Sequence, residues 1–192
     1  MKNLEQRNQI IEYSLKLNST NLSPLRSGNI SIRAKEDEKN GYLITPSGKK
    51  YETLKPEDIF FMSLDQDAEI KVSSNNPSSE WRFHRDIYLN KKEAQAIVHA
   101  HSPHASAVSS HGKSIPPFHY MIALAGGEDI RCAEYATFGT EELSKNVINA
   151  LLERSACLMS NHGQVAFGKN LEVAFELAQE VENICHQYTI AL

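Results

Sequence analysis

Gly28-Asn29-Ile30-Ser31-Ile32-Arg33 alternates along its length, and Tyr42-Leu43-Ile44-Thr45 follows after the polar run Glu36-Asp37-Glu38-Lys39-Asn40-Gly41. Alternation with period two is the pattern of a strand, and a polar turn ending in Asn-Gly joins two strands as a hairpin. This stretch predicts an antiparallel sheet. On its N-terminal side, residues 3–18 place Leu4, Ile10, Ile11, Ser14, Leu15 and Leu17 mostly on one helical face, and Asn18 to Pro24 ends that helix. On its C-terminal side, Pro46-Ser47-Gly48 breaks the second strand. Ile59 to Leu64 and Ala68 to Val72 predict a further hairpin around Asp65-Gln66-Asp67.

The second half mixes elements. Ser79 to Leu89 predicts a helix with Ser78 or Ser79 as its cap. Ala94 to His101 contains a strand, and Pro103 opens a short helix, where proline is tolerated. Ile130 to Ala133 predicts a short strand, and Thr140 opens a helix through Leu152 whose acidic first turn suits the helix dipole. Cys157-Leu158-Met159 and Gln164-Val165-Ala166-Phe167 predict strands around Asn161-His162-Gly163, and Asn170 caps a last helix. The fold class is α/β: a single three-layer domain over residues 1–192, with a central, mostly antiparallel sheet flanked by helices.

Composition narrows the function. The chain has 192 residues, 41% of them hydrophobic and 23% charged, which suits one globular domain. Twenty Lys+Arg against 24 Asp+Glu leave a net charge of -4, so the basic excess of a nucleic-acid binder is missing. No apolar run approaches the roughly 20 residues needed to span a bilayer. The N-terminus reads as an amphipathic helix without a secretory apolar block. Cys132, Cys157 and Cys185 lack close spacing and leave one unpaired in any disulfide scheme, so reduced thiols and a cytoplasmic location are expected.

The eight histidines carry the chemistry. In Ile97-Val98-His99-Ala100-His101 the two imidazoles are two apart on a strand, so they share a face. That suits a grip on one cation, although a solvated strand face would give the same spacing. His162, in Ser160-Asn161-His162-Gly163, stands where the chain reverses after an apolar strand, either as a ligand or as a turn residue bonding backbone. Glu80 opens the predicted helix. There a carboxylate either complements the dipole or serves a metal as ligand and general base. His84, one turn later, reads as packed and His104 as surface, while His111 and His186 read as solvent or core. Tyr120, within Pro116-Pro117-Phe118-His119-Tyr120-Met121, reads from its neighbours as a core aromatic, with a phenolic proton donor as the alternative. Three stretches offer hydroxyls and backbone donors of the kind that suit phosphate: Ser27-Gly28-Asn29, Thr45-Pro46-Ser47-Gly48 and Ser78-Ser79. Each is also an ordinary turn or cap.

These words occur together and in order. Gly28 to Arg33, Leu43 to Gly48, Ser78-Ser79-Glu80-Trp81-Arg82-Phe83-His84 and Val98 to His101 are joined by Ile115-Pro116, His119 to Ile122 and Ala125-Gly126-Gly127. Tyr135-Ala136-Thr137-Phe138-Gly139-Thr140 and His162-Gly163 complete the set. The chain resembles the class II aldolase/adducin-head family over nearly its whole length, nearest to the branch acting on L-fuculose 1-phosphate. The resemblance implies a cyclic homotetramer with active sites at subunit interfaces and one Zn²⁺ per subunit, held by His99, His101 and His162. Glu80 would complete the resting shell, then leave the metal and act as acid/base. Gly28, Asn29, Ser47, Gly48, Ser78 and Ser79 would bind the substrate phosphate. Tyr120, from a neighbouring subunit, would donate a proton. The implied activity is reversible cleavage of a ketose 1-phosphate to dihydroxyacetone phosphate and a short aldehyde, with a small-molecule sugar phosphate as partner and neither nucleic acid nor membrane.

Two departures from that branch stand out. The chain stops at Leu192, where the branch carries a longer tail with a further tyrosine that helps close the site, which leaves the aldehyde-side specificity open. A deoxypentulose or methylthioribulose 1-phosphate is the alternative substrate. Arg26 replaces a small hydroxyl residue of the phosphate loop, where it either binds phosphate or faces solvent. The family also contains pentulose-phosphate epimerases and methylthioribulose-phosphate dehydratases with the same metal site, and non-enzymatic adducin heads. The Phe118 to Met121 and Tyr135 to Phe138 words favour the aldolase branch. Retention of Glu80 and all three histidines speaks against an interaction domain.

Overall fold

The computed structural model describes residues 1–65 and 76–192, so the second arm of the 59–72 hairpin, at Ala68 to Val72, lies outside the described residues. The elements run α1 (Leu4–Ser19), β1 (Asn29–Glu36), β2 (Lys39–Ile44), β3 (Phe60–Ser63), α2 (Trp81–Asn90), β4 (Ala96–Ala100) and α3 (Pro103–Ser109). They continue with β5 (Cys132–Ala133), α4 (Glu141–Ala150), β6 (Ala156–Met159), β7 (Gly163–Gly168) and α5 (Leu171–Ala191). Among the described residues the strands form one seven-stranded sheet in the order β3-β2-β1-β4-β7-β6-β5. β5 and β6 pair in parallel, and every other neighbouring pair is antiparallel.

Side-chain alternation gives the sheet two buried faces. Ile30, Ile32, Leu43, Val98, Leu158 and Ala166 turn to one side, against α1, α3 and α5. Tyr42, Ile44, Ile97, Met159, Val165 and Phe167 turn to the other, against α2 and α4. Helix, sheet and helix make the three layers. β4 lies at the centre and all five of its residues are buried. A fully buried Ile or Val contributes roughly 1.5–3 kcal/mol of transfer free energy, so this strand is a rigid mount for whatever projects from its end.

Several expectations need correcting. The first hairpin turns at Asp37-Glu38, both left-handed with φ of 47° and 63°, and Glu36 pairs with Lys39. Asn40-Gly41 therefore lies inside β2. Gly41 is required there by close packing, since a Cβ would meet the Met62 carbonyl at 2.3 Å and the Phe61 ring at 2.5 Å. α1 buries Arg7, Ile10, Ser14 and Leu17, while Leu4 and Leu15 are exposed. Ile130 makes only an isolated bridge with Ile115 before the two-residue β5. Tyr120 is not a core aromatic. It opens a 3-10 turn at Tyr120–Ala125 and is 81% exposed. All three cysteines are free. Among the described residues no helix is long and apolar enough to cross a membrane.

Candidate metal centre

Three strand ends meet at one edge of the sheet. β4 runs antiparallel to both β1 and β7, so its C-terminal end lies beside their N-terminal ends. His99 pairs with Asn29 on one side and with Val165 on the other. His101 continues beyond β4, and His162 immediately precedes β7. Helix α2 starts above this point, and its cap residue is Glu80 rather than Ser78 or Ser79. Glu80 makes no side-chain capping bond. Its backbone N–H donates to the Ser78 hydroxyl, and its carboxylate turns into the sheet edge.

Glu80, His99, His101 and His162 each offer one ligand atom, and these atoms all lie within 4.8 Å of one another. His99 Nε2 is 2.9 Å from His101 Nε2 and 3.0 Å from Glu80 Oε2, and His162 Nε2 is 3.2 Å from Glu80 Oε1. The three rings stand nearly edge to face, with centroids 4.7–4.8 Å apart. His99 Nδ1 donates to the Gln164 carbonyl, which fixes the ring and turns Nε2 towards the cluster. Glu80 Oε1 is buried without a hydrogen-bond partner.

Acceptors crowded round one point with an orphaned carboxylate oxygen call for a cation. Bonds of about 2.0–2.1 Å from a tetrahedral zinc imply ligand separations of about 3.3 Å. The His99–His101, His99–Glu80 and His162–Glu80 pairs, at 2.9, 3.0 and 3.2 Å, lie near that value, and every other pair stays within 4.8 Å. The donor set therefore fits a divalent metal.

The protonation states agree. Burial, with the neighbouring His99 and His162, pushes His101 down to about 3. Burial and His99 push His162 down to about 4. Both are neutral ligands near neutral pH. Burial raises the Glu80 carboxyl, but His99, His162 and the Asn29 amide outweigh it and hold the acid below the usual carboxylate range. His84 is fully buried, as the sequence suggested, and burial pushes it down to about 3.

The cluster opens into a cleft of about 300 Å³ lined by Ser27, Ser79, Glu80, His101, Tyr135, Ala136, Phe138, Asn161 and His162. Hydrogen bonds tie the three expected phosphate stretches to one another, and two of them reach the cleft, through Ser27 and Ser79. Thr45 bonds Ile30 through both its backbone and its hydroxyl, and Pro46 bridges to Pro77. Ser79 lines the cleft, and Ser47 and Gly48 lie exposed on the loop after β2. Ser78 is buried, its N–H donating to the Thr45 carbonyl. Gly28 has no room for a side chain, since a Cβ would lie 2.7 Å from the His99 carbonyl, and its own carbonyl accepts from Tyr51. The Asn29 side chain turns towards Glu80, donating to Oε2 at 3.0 Å. Arg26 is exposed and does not line the cleft.

Tyr120 does not line the cleft of its own chain. Sequence reasoning missed Tyr135, Phe138 and Asn161 as lining residues. Tyr135 and Phe138 are 62% and 65% exposed. Large aromatics between the predicted strand ending at Ala133 and the helix opened by Thr140 were the available signal.

Residues 8–189 match the family described as Class II Aldolase and Adducin N-terminal domain. The L-fuculose phosphate aldolase of Escherichia coli (strain K12) is 45% identical over 184 residues, covering 96% of this chain and 82% of that protein. The 5-methylthioribulose-1-phosphate/5-deoxyribulose-1-phosphate aldolase of Rhodospirillum rubrum is 43% identical over 182 residues, covering 95% and 79%. A solved structure of an L-fuculose 1-phosphate aldolase superposes with a TM-score of 0.90 at 36% identity, covering 100% of this chain and 88% of the other. With the fold, the histidine–carboxylate cluster and these similarities in agreement, the chain belongs to the class II aldolase and adducin N-terminal domain family.

Proposed function

We propose that this chain is a zinc-dependent aldolase that reversibly cleaves a ketose 1-phosphate to dihydroxyacetone phosphate and a short aldehyde. The observation that carries the reading is the orphaned Glu80 oxygen among three converging imidazoles, at the floor of an open cleft. The relatives above act on fuculose phosphate and on methylthioribulose or deoxyribulose phosphate, and both substrate types fit the class. The residues 1–192 act as one domain, in the cytoplasm, as a cyclic homotetramer.

His99, His101 and His162 would hold the metal, with Glu80 completing the resting shell. A bound Zn²⁺ supplies Lewis-acid stabilisation of the negative charge that develops as the carbon–carbon bond breaks. Gly28, Asn29, Ser47, Gly48, Ser78 and Ser79 anchor the phosphate, remote from the reacting bond, so binding energy orients the substrate. In cleavage, the hydroxyl of the departing carbon loses its proton and becomes the aldehyde oxygen, and Tyr120 of a neighbouring subunit handles that proton. The electron pair of the broken bond stays on the triose-phosphate carbon, and Glu80, out of the metal shell and carrying a proton, delivers it there. Exchange through solvent returns the hydroxyl's proton from Tyr120 to Glu80, so one proton moves in all from hydroxyl to carbon. No lysine Schiff base is required.

The test is a coupled assay for dihydroxyacetone phosphate across a panel of ketose 1-phosphates. Triose phosphate released from fuculose 1-phosphate or a 5-deoxypentulose 1-phosphate supports the reading. Epimerised product without triose phosphate replaces it with an epimerase.

A further inference from the structure

Behind Glu80 runs a file of buried polar groups that metal binding does not use. Asn29 Nδ2 donates to Glu80 Oε2 at 3.0 Å, and Asn29 Oδ1 is 2.5 Å from His84 Nε2. His84 Nδ1 is 2.7 Å from Ser31 Oγ, which is 2.8 Å from the Tyr88 hydroxyl. All five residues are buried, with Ser31 and His84 fully so.

The direction of every bond follows from the first. A carboxylate only accepts, so Asn29 must present its amide nitrogen to Glu80 and its oxygen to His84. His84 Nε2 then carries the proton, and the neutral ring accepts at Nδ1. Ser31 gives its proton to that nitrogen, so Tyr88 must donate to Ser31. Four donors therefore point one way, from Tyr88 through Ser31, His84 and Asn29 to Glu80.

We propose that His84 is a positioning residue: by donating to Asn29 it locks the amide with its N–H towards Glu80, which holds Oε2 and leaves Oε1 presented to the metal and the cleft. The inference deepens the function proposed above and rests on it. The reason lies in the amide's symmetry. Asn29 alone would fit its place in either of two orientations. The flipped one sets oxygen against carboxylate and amide N–H against the His84 N–H, so Glu80 and His84 select the same orientation from opposite ends, and His84 adds its share to the lock. Losing that donor leaves a buried acceptor unpaired and the carboxylate loosely held.

The experiment uses the full chain and two probes, Zn²⁺ alone in competition with a chelator, and steady-state kinetics on a ketose 1-phosphate that the wild type cleaves. His84→Leu keeps an apolar filler but removes the donor. His84→Gln returns an amide N–H near the place of Nε2. His84→Leu is expected to weaken Zn²⁺ binding by about 10–100-fold and to lower kcat about tenfold, with KM, which also reads Asn29's hold on the phosphate, rising by less than kcat falls. His84→Gln should recover most of both. In an Asn29→Ala background, His84→Leu should add nothing further, because its effect passes through the amide.

Wild-type Zn²⁺ affinity in folded His84→Leu overturns the proposal, as do losses that multiply in the double variant. If His84→Leu does not fold, Tyr88→Phe removes only the outermost hydroxyl. It should weaken Zn²⁺ in the same direction by a smaller factor, and unchanged affinity there counts equally against the proposal. A wild-type chain that binds no Zn²⁺ removes the aldolase reading as well. A wild type that binds Zn²⁺ and cleaves substrate while His84→Leu matches it removes this inference alone.

Discussion

Asn29 and His99 are register partners across β1 and β4, and both reach the same oxygen of Glu80, each at 3.0 Å. One strand pairing thus places a metal ligand and the hydrogen-bond donor of a second ligand side by side. The geometry is set by backbone hydrogen bonds at the sheet centre, so it does not depend on the loops around the cleft.

Metal content is the first consequence. The wild-type chain should purify with about one zinc per chain, as expected of a site with three imidazoles and a carboxylate. His99 is fully buried at the meeting point, so His99→Ala should lose the metal outright. Elemental analysis after dialysis checks this. Full retention of zinc by the variant would show that the ion sits elsewhere.

Glu80→Gln separates the carboxylate's chemistry from its shape. The amide is isosteric but cannot take and return a proton. Turnover should fall by about 10²–10⁴-fold, the usual worth of a general acid–base, while the sugar phosphate still binds. Calorimetry on the variant gives the binding, and the coupled assay gives the rate. A variant with undiminished turnover assigns the proton transfer to another group.

The metal-free protein should weaken in acid. His84, His101 and His162 are held at about 3, 3 and 4, below their ordinary value of 6.5. Between those limits the unfolded chain binds more protons than the folded one, so stability rises with pH there. The contribution is whole above 6.5 and is lost progressively as pH falls towards the folded values. Thermal unfolding at a series of pH values should show the midpoint dropping below about pH 6.5. A midpoint flat down to about pH 4.5 would mean that these rings are already protonated in the fold.

Sheet, layers and the two-apart histidines were legible because each is written in local periodicity. His99 and His101 needed only a strand and its alternation. His162 and Glu80 were legible as residues in suggestive places, and their convergence with that pair came from the ordered motifs rather than from spacing. The Asn29–His84 contact was not readable, because its partners are 55 positions apart and hydrogen-bond direction is a property of the folded site. The hairpin was misread for a simpler reason. Asn40-Gly41 carries the strongest turn signal, yet Gly41 serves the packing of Phe61 while Asp37-Glu38 makes the turn.

Tyr120 provides the sharpest test of assembly. It is 81% exposed and absent from the cleft of its own chain, so its proposed role requires a neighbour. Tyr120→Phe and Glu80→Gln should each be nearly inactive alone. If the two are unfolded together, mixed and refolded into cyclic tetramers, an intact site needs Glu80 from a Tyr120→Phe subunit and Tyr120 from an adjoining Glu80→Gln subunit. Random mixing of equal amounts gives each condition a chance of about one half, so activity should return to about a quarter of wild type. That fraction depends on sites being shared between unlike subunits, since a site built within one chain would stay dead in every mixture. Mixtures no more active than their components would therefore place Tyr120 outside the reaction or within its own subunit's site, and the shared-site arrangement would have to be abandoned.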